Sequence, residues 1–435
     1  MAYQIDPETA ARLIEALDAG RLDYLFQTAH IDYSERDGLT GTSLALGLPP
    51  DVVAHVVSAV RRAQGLTIQA GAWGDYSSWI MLSAELVGLL HDIDSRSKFD
   101  FRSAVGLPDD EVRFLTHGIL IEEVLQLGLT YGEISPTNDV ELSQAQTAAR
   151  RMLLEGTAPA TDYERWVLRF FELMQRLPEL SAQPLTVNRL LELHAMLSDG
   201  LAEGGGVLRD TDAIEHPGVG LSADGTGLPA NRIASEMSAI AAYGTASQSP
   251  FVHPLVKVIV YFYWIRRIQP FAAANGLFAR LVIHVYEYQQ GFRSLPFTPL
   301  TRTAASEWAV PPPLESDGGR FDATTFVIKR LHLFLNAYIV GKREMQQAVQ
   351  RYEMLRGRFA SLDVNHRQAR ILDEALGVPT TVFTIRRHAR SRGLAYETAR
   401  QDFLGLVQDG YLEQQRRGRL FEFRLAKGAP KRLPR

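Results

Sequence analysis

The chain has 435 residues, 46% of them hydrophobic, enough for two or three domains that each bury a core. It contains no cysteine, which excludes disulfides, thiolate metal sites and cysteine nucleophiles and fits a reducing compartment. Net charge is only -4, yet Ala360 to Arg435 holds 15 Lys/Arg against 8 Asp/Glu; this tail is +7 and the preceding part -11, which points the tail at an anionic partner.

The first residues, Met1 to Glu8, give an acidic helix start in place of a basic leader, and no apolar run approaches the ~20 residues of a membrane helix. A cytoplasmic protein with no membrane contact is expected. Apolar spacing predicts helices over Glu8 to Asp18 and Pro50 to Arg62, with a Gly/Thr/Ser-rich connector from Gly38 to Leu48 between them. From Trp79 to Leu127 further helical stretches are expected. Thr186 caps an amphipathic helix containing Leu190, Leu193, His194 and Leu197, and Gly206-Val207-Leu208-Arg209-Asp210 follows it. Gly218 to Pro229 is rich in Gly and Ser.

Two apolar, aromatic runs then meet at one turn. The first, introduced by His253-Pro254-Leu255, ends at Ile265, and the second begins at Leu277. Between them stands Gln269-Pro270-Phe271-Ala272-Ala273-Ala274-Asn275-Gly276. Two buried helices joined by a phosphate-sized turn would read this way. Downstream, Pro311-Pro312-Pro313 and Asp317-Gly318-Gly319 break the pattern. Asp322 is then expected to cap a helix to Ile339, with a second, charged helix from Lys342 to Arg356.

Beyond Asn365 the spacing predicts a helix through Ile371 and Leu376, an extended Thr380 to Phe383, a helix to Ser391, a turn at Gly393 and a helix from Ala395 to Asp409. Two strands, Tyr411 to Gln415 and Leu420 to Arg424, flank Arg416-Arg417-Gly418-Arg419. Three helices and a hairpin with a basic tip resemble a winged helix-turn-helix. Burying Ala399, Phe403, Leu406 and Val407 leaves Tyr396, Arg400 and Gln401 for base reading, while Arg416, Arg417 and Arg419 would lie along phosphate. Arg386, Arg387, Arg390 and Arg392 add charge, and His366 and His388 are expected to be solvated or near phosphate.

The segment from His253 through Phe292, with the Leu-His helix and Arg209-Asp210, resembles the core of the Fic (Fido) family, whose signature is H-x-F-x-(D/E)-G-N-G-R-x-x-R. Members of that family transfer AMP or a related group from a nucleotide to a protein hydroxyl. Phe271, Asn275, Gly276 and Arg280 match the signature, whereas Gln269, Ala273, Ala274 and Leu277 replace its His, acid, first Gly and first Arg. The family His acts as general base, and an amide cannot titrate, which by itself removes about 100- to 10,000-fold in rate. The acid holds Mg²⁺, which a methyl cannot, and Leu277 lacks the guanidinium fork that neutralises phosphate. No catalytic or metal residue is therefore assigned.

Asn275, Gly276 and Arg280, at a helix start, are the expected anion- or nucleotide-binding set, for ATP or another nucleotide without a motif-held Mg²⁺. The plainer reading of the same residues makes Phe271 a core plug, Asn275 a helix cap and Arg280 the partner of a buried carboxylate. The Gly-rich 218–229 segment falls where the family places a β-hairpin flap that clamps a protein target.

The expected fold is mainly α: an N-terminal helical region (1–180), a Fic-like core with a small hairpin flap (181–345), a helical linker (346–361) and a winged helix (362–428). The expected function is that of a catalytically degenerate Fic-like regulator, ligand-sensing or scaffolding and able to homodimerise, that binds double-stranded DNA. The alternative is an active Fic-type AMP transferase.

Overall fold

The computed structural model describes residues 6–21, 36–70, 77–98, 106–131, 139–202, 204–212, 227–245, 251–309, 320–417 and 420–434. Over these residues the chain is mainly helical, with seventeen helices and six short strands. The N-terminal part carries α1 (Pro7–Asp18), α2 (Arg36–Leu46), α3 (Pro50–Ala63), β1 (Leu66–Ala70), β2 (Ser77–Ile80), α4 (Ala84–Ser97), α5 (Asp109–Tyr131), α6 (Asp139–Glu155), α7 (Asp162–Gln175) and α8 (Leu177–Leu180). The central part adds α9 (Val187–Ser198), α10 (Ala230–Thr245), α11 (Pro254–Ile268), α12 (Asn275–Gln289), α13 (Leu300–Ala309), β3 (Arg320–Asp322) and α14 (Thr324–Arg358). The C-terminal part has α15 (His366–Gly377), β4 (Phe383–Thr384), α16 (Ile385–Ser391), α17 (Tyr396–Gln408), β5 (Leu412–Arg417) and β6 (Leu420–Leu425). No single helix among the described residues is long and apolar enough to cross a membrane.

Helices α11 and α12 sit at the centre because they are apolar on every side. In α11 each residue from Leu255 to Arg266 is buried, and α12 is buried from Leu277 to Glu287. A helix with no polar face has to be enclosed, and α5, α7, α9, α10, α13 and α14 pack around the pair. Local chemistry sets the starts of the elements. The His253 ring accepts from the Leu255 N-H ahead of α11, and Thr186 accepts from the Arg189 N-H at the start of α9. A separate core, built on Phe359, Leu372, Phe403 and Phe423, holds the C-terminal unit, and a small N-terminal one gathers Val53, Val57, Trp79 and Met81.

Three local expectations change. Gly38 to Leu48 is mostly helix α2, and Trp79 and Ile80 lie in β2, which pairs antiparallel with β1 and parallel with β3, more than 240 residues away. The two helices expected after Asp322 are one helix of 35 residues, α14, which runs through Gly341 and across position 345 without a break. Gly341 packs there against Pro299, where a Cβ would sit 3.3 Å from the ring. The Asp322 carboxylate does accept from the Thr324 N-H at the helix start.

Two glycines of α5 separate packing from propensity. A Cβ at Gly128 would come within 2.7 Å of Val167 and 2.8 Å of Tyr163, whereas one at Gly118 meets nothing within 4 Å. Gly118→Ala should raise stability by about 0.5–1 kcal/mol through helix propensity. Gly128→Ala should lower it by about 1 kcal/mol net, overpacking outweighing the same propensity gain. Urea unfolding of the two variants beside the wild type measures both.

Candidate functional site

The turn from Gln269 to Ala274 links the two central helices, and its geometry is fixed from outside. Helix α11 ends at Gln269 in the left-handed region (φ 48), so the last carbonyls of the helix turn away from any helical partner. Arg209, 7% exposed, supplies the missing donors. Its Nε donates to the Gln269 carbonyl (2.7 Å), its Nη2 to the carbonyls of Ile268 (3.1 Å) and Leu228, and its Nη1 to that of Thr211 (2.7 Å). The Arg209 N-H donates to the Pro270 carbonyl at 3.0 Å. A cation at a helix C-terminus also opposes the negative end of the helix dipole. Burial holds the guanidinium below its ordinary pKa, with Asp212 acting in the other direction.

On the other side stands His194 of α9. Its Nδ1 accepts from the Gly206 N-H (3.0 Å), so the proton sits on Nε2, which is 3.1 Å from the Ala273 carbonyl and donates to it. The ring stacks on Phe271 with centroids 3.5 Å apart and 8° between planes, and meets Phe278 edge-on. Burial pushes the imidazole down to about 4, the bond to Ala273 pulling weakly the other way. His194 is therefore a neutral strut between α9 and the turn.

The positions singled out from the sequence are placed as follows. Gln269 is 4% exposed, and its Oε1 is buried without a hydrogen-bond partner. Ala273 and Leu277 are buried. Asn275 turns its amide back onto Phe271: Oδ1 accepts from that residue's N-H (3.0 Å) and Nδ2 donates to its carbonyl (2.8 Å). Gly276 is half-buried on the first turn of α12. Ala274, where the signature has Gly, adopts φ 60. Arg280 is fully buried and leaves the helix start, its Nη2 donating to Glu123 of α5 and to Thr301, each at 3.3 Å. Glu123 also accepts the N-H groups of Thr301 (2.6 Å) and Arg302 (3.2 Å), capping α13. Phe271, 1% exposed, plugs the core.

The plainer structural reading thus accounts for Phe271 and Asn275 and for the Nη2 of Arg280, whose Nε and Nη1 are buried without a hydrogen-bond partner. Among the described residues no group of three or more metal-ligating side chains occurs, and Arg280 pairs with Glu123 through Nη2. The expected flap lies almost wholly outside the described residues, from 213 to 226; Gly227 beyond it touches the turn, where a Cβ would lie 2.8 Å from the Ile268 carbonyl.

Two contacts are not legible in the local sequence: the Arg209 guanidinium on the end of α11, and Glu123 on Arg280. For the second, Glu122 and Glu123, two adjacent acids inside the otherwise apolar run Ile119 to Leu125, are the available signal, since an acid on the buried side requires a partner.

At the C-terminal unit the surface splits. Tyr396 (55% exposed), Arg400, Gln401, Arg416 and Arg417 are exposed, while Arg419 lies outside the described residues. Arg400 and Gln401 both bond the Glu397 carboxylate, at 2.8 and 2.7 Å. Two other expectations are corrected. Arg392 is buried, stacked over Phe114 and 3.7 Å from Glu111 of α5, and burial lowers its pKa to about 10. His388 is buried against Phe403, and His366 bonds Asp110 at 2.7 Å. With Arg367 on Asp110 (3.0 Å) and Arg370 on Glu111 (2.5 Å), these groups dock the unit on the acidic first turn of α5.

Comparison with protein families matches residues 184–286 to the Fic/DOC family. That similarity covers about a quarter of the chain. Solved structures similar to the chain include a Fic family protein from Desulfovibrio desulfuricans G20 (18% identity over 80% of this chain and 97% of that one, TM-score 0.43). Fic-1 of C. elegans, residues 134–508, is similar at 15% identity (78% and 83% covered, TM-score 0.39). A Fic domain containing signaling protein from Bacteroides thetaiotaomicron VPI-5482 is similar at 12% identity (60% and 97% covered, TM-score 0.38). No curated protein matches the sequence. The matched segment begins two residues before the Thr186 cap of α9 and ends within α12, so it contains His194, Arg209 and the whole turn.

Two outcomes test the Fic turn as described. His194, at 6.5 in the unfolded chain and about 4 in the folded one, contributes stability that is present above pH 6.5 and lost as pH falls from 6.5 to 4, up to about 3 kcal/mol. In denaturant midpoints recorded between pH 7 and 4, His194→Gln should flatten that part of the profile. Ala274→Gly should change stability by no more than about 1 kcal/mol, relief at φ 60 offsetting lost chain stiffness, whereas β-branched Ala274→Val should cost about 2 kcal/mol or more.

Proposed function

We propose that the chain is a catalytically degenerate Fic-type protein that works as a regulator, with the Fic core as a ligand-sensing scaffold and the C-terminal unit as a winged helix for double-stranded DNA. The observation that carries the first half is the state of the turn. At the position of the family base stands a buried, non-titrating Gln269, at the metal-holding position a methyl, and the remaining cation, Arg280, is held by Glu123. A base must titrate near working pH and reach the proton that it takes, and nothing at this turn does both.

For the second half, the support is the order helix, strand, helix, helix, hairpin, with a three-stranded sheet in the order β4-β6-β5. On α17, Ala399, Phe403 and Leu406 face inward and Tyr396, Arg400 and Gln401 outward, next to the exposed Arg416 and Arg417 of the hairpin. A helix laid in the major groove with a basic hairpin along the backbone uses this division of labour. Because Arg400 and Gln401 share Glu397, contact with a base edge would have to replace those bonds. The chain of contacts from Asp110 and Glu111 to Arg367 and Arg370 joins this unit to the body and is a route by which a ligand state could reach it.

In gel-shift titrations across salt, the wild type should bind duplex DNA with affinity that falls steeply, and replacing Arg416 and Arg417 by Ala should reduce the slope of log K against log salt by about 2. Absence of any nucleic-acid affinity at low salt would reject the DNA-binding half. Incubation with labelled ATP should leave no covalent label on protein; label transferred at a useful rate would instead support the AMP transferase.

A further inference from the structure

A cavity lies away from the turn between α11 and α12, at the seam between the body and the C-terminal unit. It has a volume of about 670 Å³, within the range of roughly 300–1,000 Å³ of small-molecule sites. Its walls come from α5, the end of α7, the end of α12 and the 3-10 turn at Leu295–Phe297. Val112, Leu120, Met174 and Phe297 supply an aliphatic and aromatic lining, and the rings of His117 and Tyr288 complete it.

His117 stands edge-on to Phe171 with centroids 4.9 Å apart, and burial lowers its pKa, so at neutral pH it is a flat, uncharged wall. Positive charge is supplied by Arg113, which lines the cavity and makes no ion pair among the described residues; Asp109, which also lines it, is not paired with Arg113. Arg293 is not part of the lining and stacks over the Tyr288 ring, its guanidinium 4.1 Å from the centroid. Flat walls with one uncommitted guanidinium match a planar aromatic body that carries a negative charge.

We propose that this cavity is the effector site of the protein and takes a planar aromatic carboxylate, with Arg113 as the cation that selects the acid. The cavity also touches Gly393, the left-handed residue (φ 59) in the turn between α16 and α17, three positions ahead of Tyr396. An occupant therefore packs against the turn that sets the entry of α17. The sensing role rests on the regulatory reading above, whereas binding itself does not.

Calorimetric titration of the full chain with 2-naphthoate is the test, and it contains no DNA, so a failure of DNA recognition would leave its result standing. The expected result is saturable one-to-one binding. Arg113→Gln should weaken it about tenfold, as should replacing the probe by uncharged 2-naphthamide. Val112→Trp, filling the cavity, should abolish it; if that variant does not fold by circular dichroism, Thr116→Trp on the next turn of α5 replaces it. Amide exchange over 391–395 should slow on binding. No saturable binding, unchanged binding in the filled variant, or equal affinity for acid and amide would overturn the proposal, and unchanged exchange over 391–395 would overturn the contact with the turn.

Discussion

Two helices that are apolar all round can only be enclosed, and the turn between them must then satisfy its carbonyls without bulk water. Arg209 meets that constraint. One guanidinium takes the carbonyls of Leu228, Ile268 and Gln269, while its own backbone holds Pro270. A buried carbonyl left without a donor costs about 1–3 kcal/mol, so the close of α11 depends on this side chain more than on the turn's own sequence. His194 does the same for Ala273 from the opposite side, and its stack on Phe271 fixes the plane of the turn.

The turn between α11 and α12 is therefore held by contacts that need no substrate. Phe271, Asn275 and Arg280 persist in roles that need no substrate: a plug, a bracket across four residues and half of a buried ion pair. The Arg280–Glu123 pair illustrates why such a residue is hard to remove. Deleting one partner strands a charge in the core, a loss of about 3–5 kcal/mol, even where the pair as a whole adds little. Retention of a signature arginine is thus as well explained by the core as by a ligand.

Much of this was legible in the sequence where local pattern decides. All-round apolarity marked α11 and α12 as central, the Thr186 and His253 caps fell where expected, and alternation in α17 sorted Ala399, Phe403 and Leu406 from Arg400 and Gln401. What could not be read depended on distant partners. Glu123 and Arg280 are 157 positions apart, and β2 is covered on one side by β3, which comes from more than 240 positions away. The pattern suggests one helix ending at Ile339 and another starting at Lys342, yet α14 runs through Gly341 unbroken. The basic excess of the tail points at an anionic partner, but Arg367, Arg370 and Arg392 are directed inward to Asp110 and Glu111, which a charge tally does not reveal.

The continuity of α14 has a mechanical side. At 35 residues it is a rod of about 50 Å whose first half is clamped in the main core and whose far end leads straight into Phe359 of the C-terminal core. A small tilt at the clamped half is magnified along the rod, so the C-terminal unit is aimed by the body like the tip of a pointer. The Asp110 and Glu111 contacts are the stop against which that pointer rests.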